Sequence, residues 1–133
     1  MTERTIKVKC GVGLGARAML PDAATFGHIV DLLEEFRFDS LWLSDRATSD
    51  SLEPLSALAF AAGRTRKLKL GTSTLVVPGR NPMLLARDLA SLDVLSGGRL
   101  LPAFGLGTAD AAEHQAFGYG ARTAGPGSTR RCR

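Results

Sequence analysis

Two glycine clusters and one acid–base pair are the residues here whose types and spacing could do chemistry. Gly11-Val-Gly-Leu-Gly-Ala16 and Gly105-Leu-Gly-Thr-Ala-Asp110 belong to or follow apolar runs. Glycine at the end of a strand lets a flat ring or a phosphate approach the backbone. Asp45 and Arg46 close a third apolar run, Ser40-Leu-Trp-Leu-Ser44. The first cluster matches G-x-G-x-x-A, the pattern of a dinucleotide-binding turn. Its context departs from that pattern twice. Pro21-Asp22 interrupts the helix that should open on the glycines. The best strand-end acid, Asp45, lies well beyond the roughly 20 residues at which a ribose-binding acid is found. The simpler reading is a strand that uses glycine to pack closely and turn. The second cluster lacks the Gly-Lys-[Ser/Thr] of a P-loop.

The remaining inventory is thin. His28 and His114 have no second histidine or carboxylate at metal-ligand spacing, so no metal site is expected. The serines lack the context of a nucleophile elbow. Cys10 and Cys132 are far apart and read as free thiols of a reducing compartment, with Cys10 in a buried strand. Trp42, between Leu41 and Leu43, is expected in the core.

Charge narrows the function classes. The 133 residues carry 17 Lys+Arg and 13 Asp+Glu, a net charge of +4. Residues 1–119 are balanced, with 13 of each sign, whereas residues 120–133 hold Arg122, Arg130, Arg131 and Arg133 and no acid. The excess belongs to the tail, which leaves a basic-tail nucleic-acid binder as a remote alternative. At 44% apolar and 23% charged residues, the body has the composition of a soluble globular domain. No apolar run approaches the roughly 20 residues of a membrane helix. The first residues lack a signal-peptide core. A cytoplasmic protein with no membrane partner is expected.

The body alternates strand and helix. Strands are expected at 6–13, 40–44, 68–77 and 99–107, with Pro102 breaking the last ladder locally. Helices are expected at 26–36, with Ile29, Leu32, Leu33 and Phe36 on one face, and from 51–54 to Gly63. A third is expected from Asn81-Pro82 to Ser96, and a short one at 109–117. Asn81 and Pro82 form an N-cap and first-turn pair. Arg64, Arg66 and Lys67 suit a solvated helix end. Apolar strands joined by helices mean a parallel sheet covered by helices. That is either a doubly wound sheet or a (β/α)₈ barrel. Both place chemistry at the carboxyl ends of the strands, here residues 13–17, 45–49, 72–77 and 105–110.

Several blocks together resemble the luciferase-like monooxygenase family. They are Leu41-Trp-Leu-Ser-Asp-Arg46, Leu70-Gly-Thr-Ser-Thr-Leu-Val-Val-Pro-Gly-Arg-Asn-Pro82, Leu92-Asp-Val-Leu-Ser-Gly-Gly-Arg99 and Phe104-Gly-Leu-Gly107. The resemblance spans residues 6–119. It implies an α/β TIM-barrel-type fold, an oxidoreductase activity, and FMN or the deazaflavin coenzyme F420 as cofactor. The Trp-Leu-Ser-Asp ending leans toward F420. Carried over by position, the cofactor-binding residues are Asp45, Arg46, Ser73, Thr74, Gly105, Gly107 and Thr108. Ser73-Thr74 falls where members often have a non-prolyl cis peptide. Arg46 stands where members often have histidine, which weakens any proton-transfer role there. A small-molecule substrate is implied, and no catalytic residue is assigned.

Length sets a further expectation. A (β/α)₈ domain takes about 250 residues, and four βα units make about half of one. Residues 1–119 are therefore expected to be the N-terminal half of a barrel, and residues 120–133 a disordered, possibly out-of-frame tail. Such a chain is expected to bind cofactor weakly and to be impaired in turnover. The alternative role is a non-catalytic half-barrel that self-associates through its exposed sheet edges.

Overall fold

Four parallel strands in sequential order organise the chain. The computed structural model describes residues 8–18, 20 and 22–118. The elements run β1 (Gly11–Leu14), α1 (Ala23–Glu35), β2 (Ser40–Leu43), α2 (Pro54–Arg64), β3 (Lys69–Thr72), β4 (Leu75–Val76), α3 (Pro82–Ser96), β5 (Leu100–Leu101), β6 (Phe104–Gly105) and α4 (Ala111–Ala116). The main sheet has the order β1-β2-β3-β5, and β4 pairs with β6 in a short continuation. All pairs are parallel. The order never reverses, so the sheet has the barrel pattern and not the switch point of a doubly wound fold.

Register separates the two faces. Val12, Leu41, Leu70 and Leu100 form one cross-strand row. Leu41 and Leu70 are fully buried, and all four belong to or pack against the core with Phe26, Val30, Leu33, Leu58, Ala61 and Leu92 from the helices. The next row is Gly13, Trp42, Gly71 and Leu101. Because strand side chains alternate, it faces away from the helices. Trp42 is therefore outside the expected core. It is half-buried on the open face, its ring lies over Gly71, and its indole N–H donates to Ser40 Oγ at 2.9 Å. A Cβ at position 71 would collide with the indole, so glycine in β3 is what lets the ring lie flat.

The helices begin where their caps dictate. Asp22 accepts from the Thr25 amide at the start of α1, and Asn81 accepts from the Met83 and Leu84 amides at the start of α3. Pro82 holds the first turn of α3, and Gly97 ends it in the left-handed conformation. The cap of α2 is Glu53, which accepts from the Ser56 amide, with Pro54 next and the upstream serines outside the helix. The buried stripe of α1 is Phe26, Gly27, Val30 and Leu33. The expected stripe was rotated: Phe36 is 68% exposed, because the helix stops before it and Arg37 turns the chain at φ 59°. Cys10 precedes β1 and is exposed, not buried in a strand. The strand expected at 68–77 is two pieces, β3 and β4, separated by a cis Ser73-Thr74 peptide. The fourth strand is likewise split, with Pro102 between β5 and β6. Residues 120–133, and the start of the strand expected at 6–13, lie outside the described residues.

Arg99 binds the amino-terminal end of this assembly together. It is 7% exposed. Its Nη1 donates to Thr65 Oγ1 and Leu68 O, both at 2.8 Å, and its Nη2 to Ala62 O at 3.0 Å and Thr65 O at 3.1 Å. Its Nε donates to Ser96 O at 2.5 Å. One guanidinium thus satisfies carbonyls at the ends of α2 and α3 and at the entry to β3, where backbone acceptors lack helical partners. Burial lowers its pKa, and Glu34 opposes that shift. Glu34 in turn accepts from the Arg66, Lys67 and Leu68 amides. Arg99→Met should leave those buried carbonyls unsatisfied and cost about 3 kcal/mol or more. A fall in the urea midpoint with an unchanged denaturant slope would show it.

Candidate functional site

The carboxyl ends of the strands carry two ion-pair braces and an exposed rim. In the first brace, Asp45 follows β2 and its side chain is 5% exposed. Its Oδ2 accepts from the Val76 amide at 2.9 Å and from Arg80 Nη2 at 2.8 Å. Arg80 also donates to Val76 O at 2.8 Å, lies 3.7 Å from Glu53 Oε1, and stacks 5.8 Å from the centroid of the Phe117 ring. The carboxylate ties the end of β2 to β4 and to the turn leading into α3. A cavity of about 400 Å³ opens beside this brace, with Arg46, Ser49, Glu53, Arg80 and Phe117 among its walls.

The second brace is built around Glu113. It lies on α4 and is 2% exposed. It accepts from the Ala47 amide at 3.2 Å, from the Thr48 amide at 2.9 Å and from the Thr48 hydroxyl. Arg46 Nε lies 3.6 Å away, and Arg46 Nη2 pairs with Asp110 at 3.4 Å. Burial alone would raise the Glu113 pKa. The Thr48 hydroxyl, the Thr48 and Ala47 amides and Arg46 outweigh burial and hold it below the usual carboxylate range. The loop after β2 is therefore pinned to α4 by a buried anion.

Between the braces sits the rim. Ser73 and Thr74 are exposed, and Ser44 Oγ donates to Ser73 O at 3.2 Å. Across from them, Leu75 and Val77 donate to Ala103 O and Gly105 O at 2.7 and 3.1 Å. A Cβ at Gly105 would strike the Thr74 side chain, so glycine permits that close approach. Gly107 turns at φ 87°, and Thr108 is exposed, its carbonyl 2.7 Å from His114 Nε2. Asp45, Arg46, Ser73, Thr74, Gly105, Gly107 and Thr108 all lie at this one end of the sheet. Asp45 and Arg46 are engaged in the braces, while Ser73, Thr74, Gly107 and Thr108 face outward.

A cis Ser73-Thr74 peptide stands where the resemblance implied one. A family model described as luciferase-like monooxygenase matches residues 5–129. The chain belongs to the luciferase-like monooxygenase family. The 5,10-methylenetetrahydromethanopterin reductase of Methanopyrus kandleri is 31% identical over 102 residues, which is 75% of this chain and 28% of the reductase. The solved coenzyme F420 dependent tetrahydromethanopterin reductase from the same organism matches with a TM-score of 0.68 at 27% identity, covering 85% of this chain and 30% of its own. A type II Baeyer-Villiger monooxygenase of Pseudomonas putida, solved with FMN, shares the fold: TM-score 0.72, 20% identity, 83% of this chain and 32% of its own. The chain thus spans about a third or less of the length of these relatives. The luciferase-like fold accounts for the sequential parallel sheet, and family members use F420 or FMN.

Glu113 and Arg80 are the two residues that sequence reasoning passed over. Asp110 and Glu113 have the spacing of a capping box. Asp110 does cap α4, through the Ala112 amide, but Glu113 reaches to a loop more than 60 residues earlier. Arg80 gave no signal beyond lying in the matched block. Among the described residues no group of three His, Cys, Asp or Glu could hold a metal ion, and no helix is long and apolar enough to cross a membrane. Glu113→Gln is expected to lower stability by about 1–3 kcal/mol near neutral pH. A depressed folded pKa gives stability that is full above about pH 4.3 and is lost as pH falls through the lower folded value. Urea midpoints of parent and variant should therefore differ at about pH 7 and converge as the pH falls below the usual carboxylate range.

Proposed function

We propose that this chain forms the ring-binding end of an oxidoreductase that moves hydride to or from a flavin-type cofactor, with coenzyme F420 preferred over FMN. One observation carries the reading. Exposed Ser73-Thr74 and the Gly107-Thr108 turn form an open rim at the carboxyl end of a parallel sheet, where α/β barrels bind their ligands. A planar ring needs a flat backing and nearby polar groups. The rim has both: backbone with small side chains, and the hydroxyls of Ser73, Thr74 and Thr108. The preference for F420 draws on the Leu41-Trp-Leu-Ser-Asp45 ending and on relatives named for that coenzyme.

The cofactor, when bound, supplies the atom that accepts or gives the hydride. The residues of this chain do the holding. Ser73 and Thr74 back the ring and offer hydroxyls to its edge. Gly105 and Gly107 keep side chains out of its plane, and Thr108 borders the turn. Asp45 keeps β2 and β4 in register through Arg80 and the Val76 amide. Arg46, steadied by Asp110, is a cation at this end of the sheet that a cofactor anion could meet.

Fluorescence titration of the purified chain with F420 and with FMN tests this. The expected result is weak binding, Kd about 100 μM or above, tighter for F420. Thr74→Val should weaken it about tenfold with an unchanged melting temperature. Absence of any F420 or FMN signal at millimolar cofactor, or equal binding by Thr74→Val, would remove the reading.

A further inference from the structure

The open face of the sheet has a pattern that points to its occupant. A closed (β/α)₈ barrel fills its interior with layers of four side chains, each layer drawn from alternate strands. In the row Gly13, Trp42, Gly71, Leu101, the large side chains come from β2 and β5 and the intervening strands carry glycine. One copy therefore supplies half a layer, with open space over Gly13 and its own Trp42 ring over Gly71. The row has no charge, and Leu101 is 39% exposed. The sheet has two free edges among the described residues, β1 on one side and β5 with β6 on the other.

We propose that a second copy of this chain covers this face, closing an eight-stranded ring about a two-fold axis. The geometry requires no new element. Rotation about an axis along the barrel sets β1 of each copy beside β5 and β6 of the other. Both new junctions are parallel, like every pair already present. The two-fold then supplies the missing half-layer: two Trp42 and two Leu101 side chains interleave at alternate strands, each Trp42 lying over its own Gly71 while Gly13 leaves room for the side chains of the other copy. A second copy thus satisfies both edges and the face at once, a closed arrangement of the kind oligomers favour. At about 4.8 Å per strand the face is about 19 Å wide; it is about 13 Å tall at four-residue β1 and β2 and about 20 Å at the β5–β6 side, with an edge strip about 10 Å deep on each side. That offers about 650 Å² per copy, the lower end of what a standard-size interface buries on each partner. The inference rests on the sheet and is independent of the cofactor reading.

Light scattering over a range of concentrations, read with the emission of Trp42, tests it on the unmodified chain. Trp42 is the only tryptophan. The expected result is a mass of twice 14.1 kDa and a blue shift of the emission that tracks dimer formation. A monomer throughout, an open-ended assembly, or a dimer whose emission does not move would overturn the proposal. Leu101→Glu should return the chain to a monomer with its helical circular dichroism retained. Val94→Glu, on the exposed side of α3, should leave the dimer intact. If Val94→Glu alone dissociates the dimer, the copies meet through their helices and the ring is wrong.

Discussion

A single buried guanidinium holds the amino-terminal side of this fold together. Arg99 reaches α2, the loop into β3 and the end of α3 at once, and four of its five contacts are carbonyls at helix ends or the strand entry. Burying a cation is costly unless every donor is matched. Here the donors meet five acceptors, and Glu34 lies close enough to act on its charge. That arrangement sets how α2 and α3 lie against the sheet and therefore where the strands end. Everything at the opposite side inherits its position from this anchor.

The opposite side uses the same logic with the signs reversed. Asp45 and Glu113 are nearly inaccessible carboxylates fed by backbone amides and by arginines. Each ties a loop to an element distant in sequence. The two braces pair Asp45 with Arg80 and Glu113 with Arg46, and the outward rim between them presents hydroxyls and backbone. On the reading proposed above, a flavin-type ring would rest on that rim. The rigidity comes from groups that would not touch the ring.

Much of this was legible in the residues. Asn81-Pro82 opens α3 as their types demand, the strands pair parallel in chain order, and the matched blocks locate the interrupted third strand. What escaped was long-range. For α1, 29-32-33-36 and 26-30-33 both satisfy helical periodicity, and only the position of the sheet chooses the second. The leucines on either side of Trp42 suggest the core, but strand alternation sends it to the other face. The roles of Arg99 and Glu113 are set by partners about thirty or more residues away, which no local pattern encodes.

The register has a kinetic meaning. Each strand pairs with the one before it, at a separation of about thirty residues, and no pairing in the main sheet skips a unit. The loops to be closed are thus uniform and moderate in length, and their entropic cost does not grow as the chain lengthens. A chain emerging from the ribosome could dock each new βα unit on a completed neighbour without waiting for a distant partner. Folding would proceed by addition, and each intermediate would differ from the next by one strand and one helix.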